Sequence, residues 1–194
     1  MSATKATTAW AGLPRVLEGP RIVLQVLSTD HAGQLLRFHR ENSRHLKPFE
    51  PKREQCFFTL DEHHRLVDMR QRMLNLGLGV GFGVFLDNVL VGKLNISNVV
   101  RGSFDSAFLG YAMDHRHTGH GYMKEAVALA LDWAFYQLEL HRVEASTLVD
   151  NLPSQGVLLA NGFQFLGLNR RYLYINGVWQ DHYTYYKLKE DHTA

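Results

Sequence analysis

The residues best suited to chemistry lie in one short loop, where Arg116, Gly119 and Gly121 follow a predicted strand and precede a long apolar helix. Two glycines two positions apart let the main chain turn tightly and approach a ligand without hindrance from a Cβ atom. The first N–H groups of a helix lack partners and lie at the positive end of its dipole. Such a loop suits a phosphate or pyrophosphate, to which Arg116 would add a charge-assisted hydrogen bond. The spacing is equally compatible with a plain strand-to-helix turn.

A second polar pair, Asn151 and Ser154, stands where a short helix is predicted to begin. Side-chain oxygens of these residue types often accept hydrogen bonds from the free N–H groups of a first helical turn. From the residues alone, helix capping is therefore the simpler interpretation of this pair.

Other kinds of site fit the sequence poorly. The Gly-Lys-Ser/Thr segment of a P-loop is absent, and the alternating glycines at 77–83 follow a helix and precede a strand, the reverse of a dinucleotide-binding turn. The eleven histidines include no His-Glu-x-x-His pattern. We therefore predict no bound metal.

Two hydrophobic periodicities indicate a mixed α/β (α+β) chain. Alternating apolar residues predict strands at 21–27, 82–86, 89–99, 108–113, 142–149, 163–175 and 178–188. A period of 3.6 residues predicts helices at about 28–42, 59–77 and 122–138, and a short helix that opens at Asn151. The helix at 122–138 is apolar around most of its circumference, which predicts burial against a sheet.

The length of 194 residues suits a single domain, which we place at 20–190 after an N-terminal arm at 1–19. We predict neither a membrane span nor a secretory signal, since no apolar stretch is long enough. The single cysteine, Cys56, excludes a disulfide framework and favours a cytoplasmic setting. The net charge of +2 comes without a run of like charges, so nucleic-acid binding is not indicated.

The loop Arg116-x-x-Gly119-x-Gly121 resembles the Gln/Arg-x-x-Gly-x-Gly/Ala signature of the GCN5-related N-acetyltransferase (GNAT) family. In that family the loop holds the pyrophosphate of acetyl-CoA. The pair Asn151 and Ser154, with the Asn-Gly-Phe segment at 161–163, is similar to the downstream element of the branch that acetylates ribosomal proteins. Segments typical of the branch also stand at 46–51, 95–104 and 179–182, and the resemblance covers about residues 20–189.

The resemblance implies a mixed, mostly antiparallel sheet that splays at its centre near Met113 to admit acetyl-CoA, with flanking helices. It assigns Asn151 to the pantetheine arm or the thioester and makes Ser154 the residue that protonates or hydrogen-bonds the leaving thiolate, so both are predicted to be catalytic. The residues implied to contact acetyl-CoA are Tyr111, Met113, Arg116, His117, Thr118, Gly119, His120, Gly121, Tyr122, Asn151 and Ser154.

The same resemblance implies an acceptor, the N-terminal amino group of an alanine in a ribosomal protein. We expect this acceptor to enter between the two early helices and the last hairpin. Glu50, Arg101 and Asp181 are predicted to contact it because they lie in the segments typical of the branch. Tyr172 is predicted to contact it because it belongs to a set of alternating tyrosines in extended segments, which could line an acceptor groove.

A strong base is not evident at the positions where related enzymes carry a glutamate, because Phe108 and Leu166 occupy them. An α-amino group has a pKa of about 7.7–8.0, so roughly a fifth of it is neutral at pH ~7.4. A lysine, with a pKa of about 10.4, would need about 4 kcal/mol to lose its proton at that pH. A site without a strong base therefore suits an N-terminal amine better than a lysine.

Two alternatives remain open on the sequence. One is acetylation of a small amine such as a polyamine or an aminoglycoside, which an acidic, enclosed acceptor pocket would favour. The other is a non-catalytic acyl-CoA-binding protein or ribosome-assembly factor, which the missing glutamates would allow. The sequence is compatible with a monomer or a homodimer.

Overall fold

A computed structural model describes residue 10 and residues 12–192 of the chain. Eight strands form one sheet. They are β1 (Val16–Glu18), β2 (Val23–Val26), β3 (Val80–Leu86), β4 (Val89–Val100), β5 (Ser106–Met113), β6 (Arg142–Leu148), β7 (Gln164–Ile175) and β8 (Val178–Leu188). The helices are α1 (Ala32–Glu41), α2 (Ser43–Leu46), α3 (Leu60–Asn75), α4 (Tyr122–Asp132) and α5 (Leu152–Ala160).

The strands are arranged in the order β1-β2-β3-β4-β5-β6-β8-β7, and every neighbouring pair is antiparallel except β5 and β6. The parallel pair joins only Ser106–Phe108 to Arg142–Glu144. Beyond these residues the two strands diverge, so the sheet opens between Leu109–Met113 and the second half of β6. The predicted fold, a mixed and mostly antiparallel sheet splayed at its centre, is confirmed.

Helix α4 packs against one face of the sheet. Its buried residues include three small or branched side chains, Ala126, Val127 and Ala130, which have no exposed surface and let the helix axis come close to the strands. The same cluster takes in Leu24 and Phe82 from the strands. The burial predicted for this helix is confirmed, and it fixes where the helix begins relative to the end of β5.

Helices α1 and α3 cover the opposite face. Leu35 and Phe38 of α1 and Val67 of α3 form a second cluster with Phe85 of β3, whereas the adjacent Val84 belongs to the cluster of α4. Successive side chains of a strand point to opposite faces, so the two clusters lie on the two sides of one sheet. Of the described residues, none belongs to a helix long and apolar enough to cross a membrane.

Two details differ from the expectations. Val16–Glu18, predicted as part of a loose arm, form the edge strand β1 by pairing with Val23–Gln25 of β2. Trp10 is also buried, with its ring 5.5 Å from that of Trp133 at an interplanar angle of 87°. Residues 1–9 and 11 lie outside the described part of the chain.

The helix predicted to reach 138 stays α-helical only to Asp132 and continues as a π-helical turn over Trp133–Gln137.

Candidate functional site

The opening in the sheet forms a groove of about 470 Å³. Its floor is the free edge of β5 at Tyr111, Ala112 and Met113, whose other edge pairs with β4. The beginnings of α4 and α5 stand on its sides. The remaining lining residues are His45, Leu46, Phe49, Glu50, His117, Thr118, Gly119, Gly121, Tyr122, Met123, Lys124, Asn151, Pro153, Ser154, Gly156, Val157 and Ala160.

The loop between β5 and α4 reaches the groove with its main chain. Gly119 and Gly121 have φ values of 79° and 80°, a region that costs other residues about 1–2 kcal/mol. Gly121 is the residue before the first turn of α4, so the free N–H groups of that turn stand at the groove. The loop therefore has the geometry predicted for an anion site at a helix N-terminus.

Arg116 was predicted to reach the anion, but the structure places its side chain elsewhere. Its Nε and Nη2 atoms donate hydrogen bonds of 3.0 Å and 2.6 Å to the Asp114 carboxylate, and Nη2 also lies 2.5 Å from Glu41 Oε2. The physical reason is Asp114, whose carboxylate is buried at the end of β5 and needs a charged partner. Arg116 supports the shape of the loop and is absent from the residues that line the groove.

Asp114 is the residue that organises the first half of the loop. Its Oδ1 accepts a hydrogen bond of 2.8 Å from the Arg116 N–H. Burial favours the neutral carboxyl, but the hydrogen bonds from the Arg116 side chain and main chain outweigh it and hold the pKa of Asp114 well below its usual range. Asp114 therefore stays ionised throughout the range in which the protein is expected to work.

Arg21 supports the second half of the loop, a role that the sequence reasoning missed. It stands beside the β1–β2 turn, and its Nη1 donates a hydrogen bond of 2.9 Å to the carbonyl oxygen of His120. Its Nε donates to Glu125 Oε2 at 2.9 Å, and the guanidinium lies 5.1 Å from the centre of the Tyr122 ring. A contact across a hundred positions of the chain leaves no local pattern in the sequence.

His120, which was predicted to contact the cofactor, is not among the groove residues. Its ring stacks on that of Tyr122 at 5.7 Å with an interplanar angle of 12°. The histidine thus holds a neighbouring groove residue in place. His117 and Thr118, predicted from the same motif, do line the groove.

A hydrogen bond joins the two sides of the split. The Tyr111 hydroxyl donates to the carbonyl oxygen of Ser154 at 2.8 Å, which connects β5 to the first turn of α5. Asn151 Oδ1 accepts from the Ser154 N–H at 3.2 Å, so the capping interpretation of Asn151 is confirmed. Asn151 and Ser154 also line the groove, which makes capping and ligand contact compatible at this position.

A second cavity, of about 460 Å³, adjoins the groove and shares Leu46 and Glu50 with it. It lies between the α1–α2 region, the segment that leads to α3, and Asn176 in the β7–β8 turn. The main-chain N–H of Asn176 donates a hydrogen bond of 3.2 Å to the carbonyl oxygen of Glu50, which ties this turn to the site. Its other lining residues are His39, Ser43, Arg44, Lys47, Pro51, Lys52, Arg53, Phe57 and Phe58.

A buried chain of hydrogen bonds supports Glu50 from inside the protein. Lys93 Nζ lies 2.7 Å from Glu50 Oε1 and 2.9 Å from His39 Nε2. His39 Nδ1 lies 2.8 Å from His63 Nε2, and His63 Nδ1 lies 2.9 Å from the carbonyl oxygen of Thr59. A carbonyl oxygen only accepts, so His63 Nδ1 carries the hydrogen and donates to Thr59. In a neutral imidazole the other nitrogen then accepts, so His63 Nε2 accepts from His39 Nδ1, and His39 Nε2 accepts from Lys93.

The ionisation of this chain follows from its burial. Burial, followed by the charge of Lys93, lowers the pKa of His39, and burial also lowers the pKa of His63 and of Lys93. Burial acts against the ionised form of Glu50, but the charges and hydrogen bonds of Lys93 and Arg53 outweigh it and lower the pKa of this carboxyl. Glu50 therefore stays ionised, and its carboxylate, paired with Lys93 and Arg53, lies where the two cavities meet.

Three of the four residues predicted to contact the acceptor line neither cavity. Arg101 lies in the β4–β5 turn, at the far end of β5 from Met113, and pairs with Asp105 at 3.0 Å. Asp181 Oδ1 accepts from the Arg171 N–H at 2.7 Å and so supports a bulge in β7. Tyr172 packs edge-on against His182 at 5.8 Å. Only Glu50 stands at the site, and Lys93 and His39, which hold it, were not predicted.

Among the side chains of residues 12–192, no group of three or more His, Cys, Asp or Glu is arranged to hold a metal ion. The adjacent pair His39 and His63 is used in hydrogen bonds to each other, to Lys93 and to the carbonyl oxygen of Thr59.

The family follows from the sequence as well as from the fold. The profile described as the acetyltransferase (GNAT) domain matches residues 21–164. The chain therefore belongs to the GNAT family of acetyltransferases and is an acetyl-CoA-dependent N-acetyltransferase, as the loop motif predicted.

Two relatives and one solved structure indicate the branch of the family to which this chain is similar. Bacillus subtilis YjcK, a probable N-acetyltransferase, is 35% identical over 169 residues, which cover 86% of this chain and 93% of YjcK. The ribosomal protein uS5 alanine N-acetyltransferase of Escherichia coli is 31% identical over 175 residues, or 89% of this chain and 90% of that enzyme. The structure of Mycobacterium smegmatis RimJ in complex with a CoA disulfide has a TM-score of 0.86 and 30% identity, and covers 89% of this chain and 84% of RimJ. The resemblance to the ribosomal-protein branch is confirmed.

We predict that Asp114→Asn lowers the free energy of unfolding by about 2 kcal/mol at pH 7, because the NH2 group that replaces Oδ2 cannot accept the hydrogen bond of Arg116 Nη2 and the negative charge beside the guanidinium is lost. The pKa of Asp114 is lower in the folded protein than in the unfolded chain, so its stabilisation is complete above the ordinary pKa of about 3.9 and is lost as the pH falls towards the folded value. The difference between variant and parent should therefore be constant from about pH 5 to 8 and shrink below about pH 4.

Urea unfolding at several pH values measures this difference. Asp68→Asn, which removes an exposed carboxylate from a surface pair with Arg72, is the matched control and should change stability by less than about 0.5 kcal/mol. Equal unfolding free energies for Asp114→Asn and the parent at pH 7 would contradict the role given to Asp114.

Proposed function

We propose that this enzyme transfers the acetyl group of acetyl-CoA directly to the N-terminal α-amino group of a ribosomal protein that begins with alanine. The observation that carries the proposal is the junction at Glu50, where a groove suited to a long thioester meets a second, open cavity. The E. coli relative that acts on ribosomal protein uS5 matches 89% of this chain, which supports a ribosomal protein as the acceptor. The proposed acceptor places the reaction in the cytoplasm.

The groove supplies what the thioester substrate requires. The free edge of β5 at Met113 offers main-chain groups to the amides of the pantetheine arm, and the loop ending at Gly121 offers main-chain N–H groups to the pyrophosphate. Lys124, which also lines the groove and was not predicted, adds a positive charge on the first turn of α4. Asn151 holds the first turn of α5 and stands where the two strands diverge.

In the reaction the neutral amine forms an N–C bond to the thioester carbonyl carbon, and the C–S bond then breaks. The nitrogen loses one proton and the sulfur gains one, so the products are the amide and free CoA. We assign to the Ser154 hydroxyl the hydrogen bond to the departing sulfur, because Ser154 lines the groove and its main chain is fixed by Tyr111 and Asn151. A donor placed where charge develops lowers the barrier.

Glu50 is better suited to bind the acceptor than to deprotonate it. A proton moved from an α-ammonium with a pKa of about 7.8 to a carboxylate with an ordinary pKa of about 4.3 costs about 5 kcal/mol. Lys93 and Arg53 lower the pKa of Glu50 further and increase that cost. We therefore give Glu50 the role of attracting the ammonium form, while the proton leaves to water before attack.

The charge of the second cavity disfavours a small polycationic acceptor. Arg44, Lys47, Lys52 and Arg53 all line it, against the single carboxylate of Glu50. An acidic, enclosed pocket was the condition for a polyamine or an aminoglycoside, and this cavity is basic and open to solvent at its rim. A peptide terminus, with one positive charge, fits it better.

Mass spectrometry of peptides incubated with the protein and acetyl-CoA tests the proposal. We expect one added acetyl group on the N-terminal amine of peptides beginning with alanine, and none on lysine side chains of the same peptides. Acetylation of spermidine or an aminoglycoside without modification of any peptide would contradict the proposal. Binding of acetyl-CoA without transfer to any amine would instead support the non-catalytic alternative.

A second prediction concerns Ser154. Ser154→Ala should lower kcat by about 100-fold, because the leaving thiolate loses its hydrogen-bond donor, while the affinity for acetyl-CoA measured by calorimetry changes little. Ser154→Thr keeps a hydroxyl and is the matched control, which should retain most of the activity. An unchanged kcat in Ser154→Ala would reduce Ser154 to a structural residue of α5.

A further inference from the structure

The second cavity has an uneven distribution of charge. Four cationic side chains, Arg44, Lys47, Lys52 and Arg53, stand around it, and each belongs to an exposed residue. The one carboxylate among its lining residues, Glu50, is only 18% exposed and lies at the junction with the groove. The cavity therefore combines a negative point at its inner end with a positive rim.

The positive rim is not neutralised by the protein itself. Glu50 pairs with Lys93 at 2.7 Å and with Arg53 at 3.6 Å. In the part of the chain that the structure describes, the remaining rim cations, Arg44, Lys47 and Lys52, have no carboxylate within 4.0 Å. Like charges gathered without partners repel one another, and a bound anion relieves this repulsion.

We propose that the acceptor is a peptide whose free N-terminus is followed by acidic residues. The positive terminus faces Glu50, and the side-chain carboxylates that follow it face Arg44, Lys47 and Lys52. This inference rests on the proposed function, since it specifies the acceptor for the same site. In this arrangement the positive terminus lies near Glu50 and the following carboxylates lie near the positive rim, which orients the reacting nitrogen towards the thioester groove.

A peptide suits the rim better than a nucleic acid. Single-stranded RNA is held by positive charge together with aromatic rings on which its bases stack. Of the two phenylalanines that line the cavity, Phe57 is 8% exposed and has the Arg53 guanidinium 4.4 Å from the centre of its ring. Phe58 is half-buried, and its ring packs edge-on against that of Phe57 at 5.2 Å. A phosphate at the inner end of the cavity would also meet the negative charge of Glu50.

The experiment compares two peptides of equal length that begin with alanine, one with glutamates and one with lysines at positions two to five. With the parent enzyme and acetyl-CoA, we expect kcat/KM to be about tenfold higher for the acidic peptide, because several exposed ion pairs act together. The preference should decrease as the salt concentration rises.

Charge reversal at the rim provides the second arm. Arg44→Glu combined with Lys52→Glu should remove or invert the preference while the affinity for acetyl-CoA remains unchanged. Arg65→Glu combined with Arg72→Glu makes the same change in net charge on exposed positions of α3 and should leave the preference intact.

The outcomes separate this inference from the proposed function. Equal kcat/KM for both peptides in the parent enzyme would overturn the acidic acceptor and leave N-terminal acetylation standing. Acetyl-CoA binding without acetylation of either peptide would overturn the proposed function, and this inference with it. Stronger inhibition by oligouridylate than by an oligoglutamate of the same length would assign the rim to RNA and overturn the inference.

Discussion

Main-chain pairing between β5 and β6 ends after Phe108 and Glu144, and the rest of the site depends on that ending. Buried N–H and C=O groups need hydrogen-bond partners, so a strand edge left open inside a protein is costly unless water or a ligand satisfies it. Here the open edge of β5 at Tyr111, Ala112 and Met113 forms the floor of the groove. The same divergence brings the beginnings of α4 and α5 to the two sides of the gap, so one irregularity of the sheet provides both polar main chain and two helix N-termini.

Side chains far apart in the sequence hold this arrangement in place. Tyr111 connects the two sides of the split through the carbonyl group of Ser154. Asp114 and Arg21 hold the two halves of the glycine loop, the former through Arg116 and the latter through His120. These contacts keep the main-chain N–H groups in position before any ligand arrives, which is the condition under which such groups bind an anion well.

Much of the fold and the main-chain part of the site could be predicted, because both depend on local patterns. The apolar stripe of α4 repeats with the helical period, and the glycines at 119 and 121 stand where the main chain has a positive φ. Both features can be recognised in the sequence. What could not be predicted depends on tertiary contacts. Arg116 was expected to bind the anion, but its guanidinium is paired with the buried carboxylate of Asp114, two positions away. The three-residue strand β1 is too short to show a period. The pair His39 and His63 joins two helices that only folding brings together.

We infer that main-chain groups between β5 and the first turn of α4 hold the diphosphate of the acyl donor. A crystal structure of the protein with acetyl-CoA tests it most directly. We predict pyrophosphate oxygens within hydrogen-bond distance of N–H groups between His117 and Met123, and the pantetheine arm along β5 at Met113. A donor bound elsewhere, or a diphosphate held by the Arg116 side chain with the loop N–H groups unused, would contradict it.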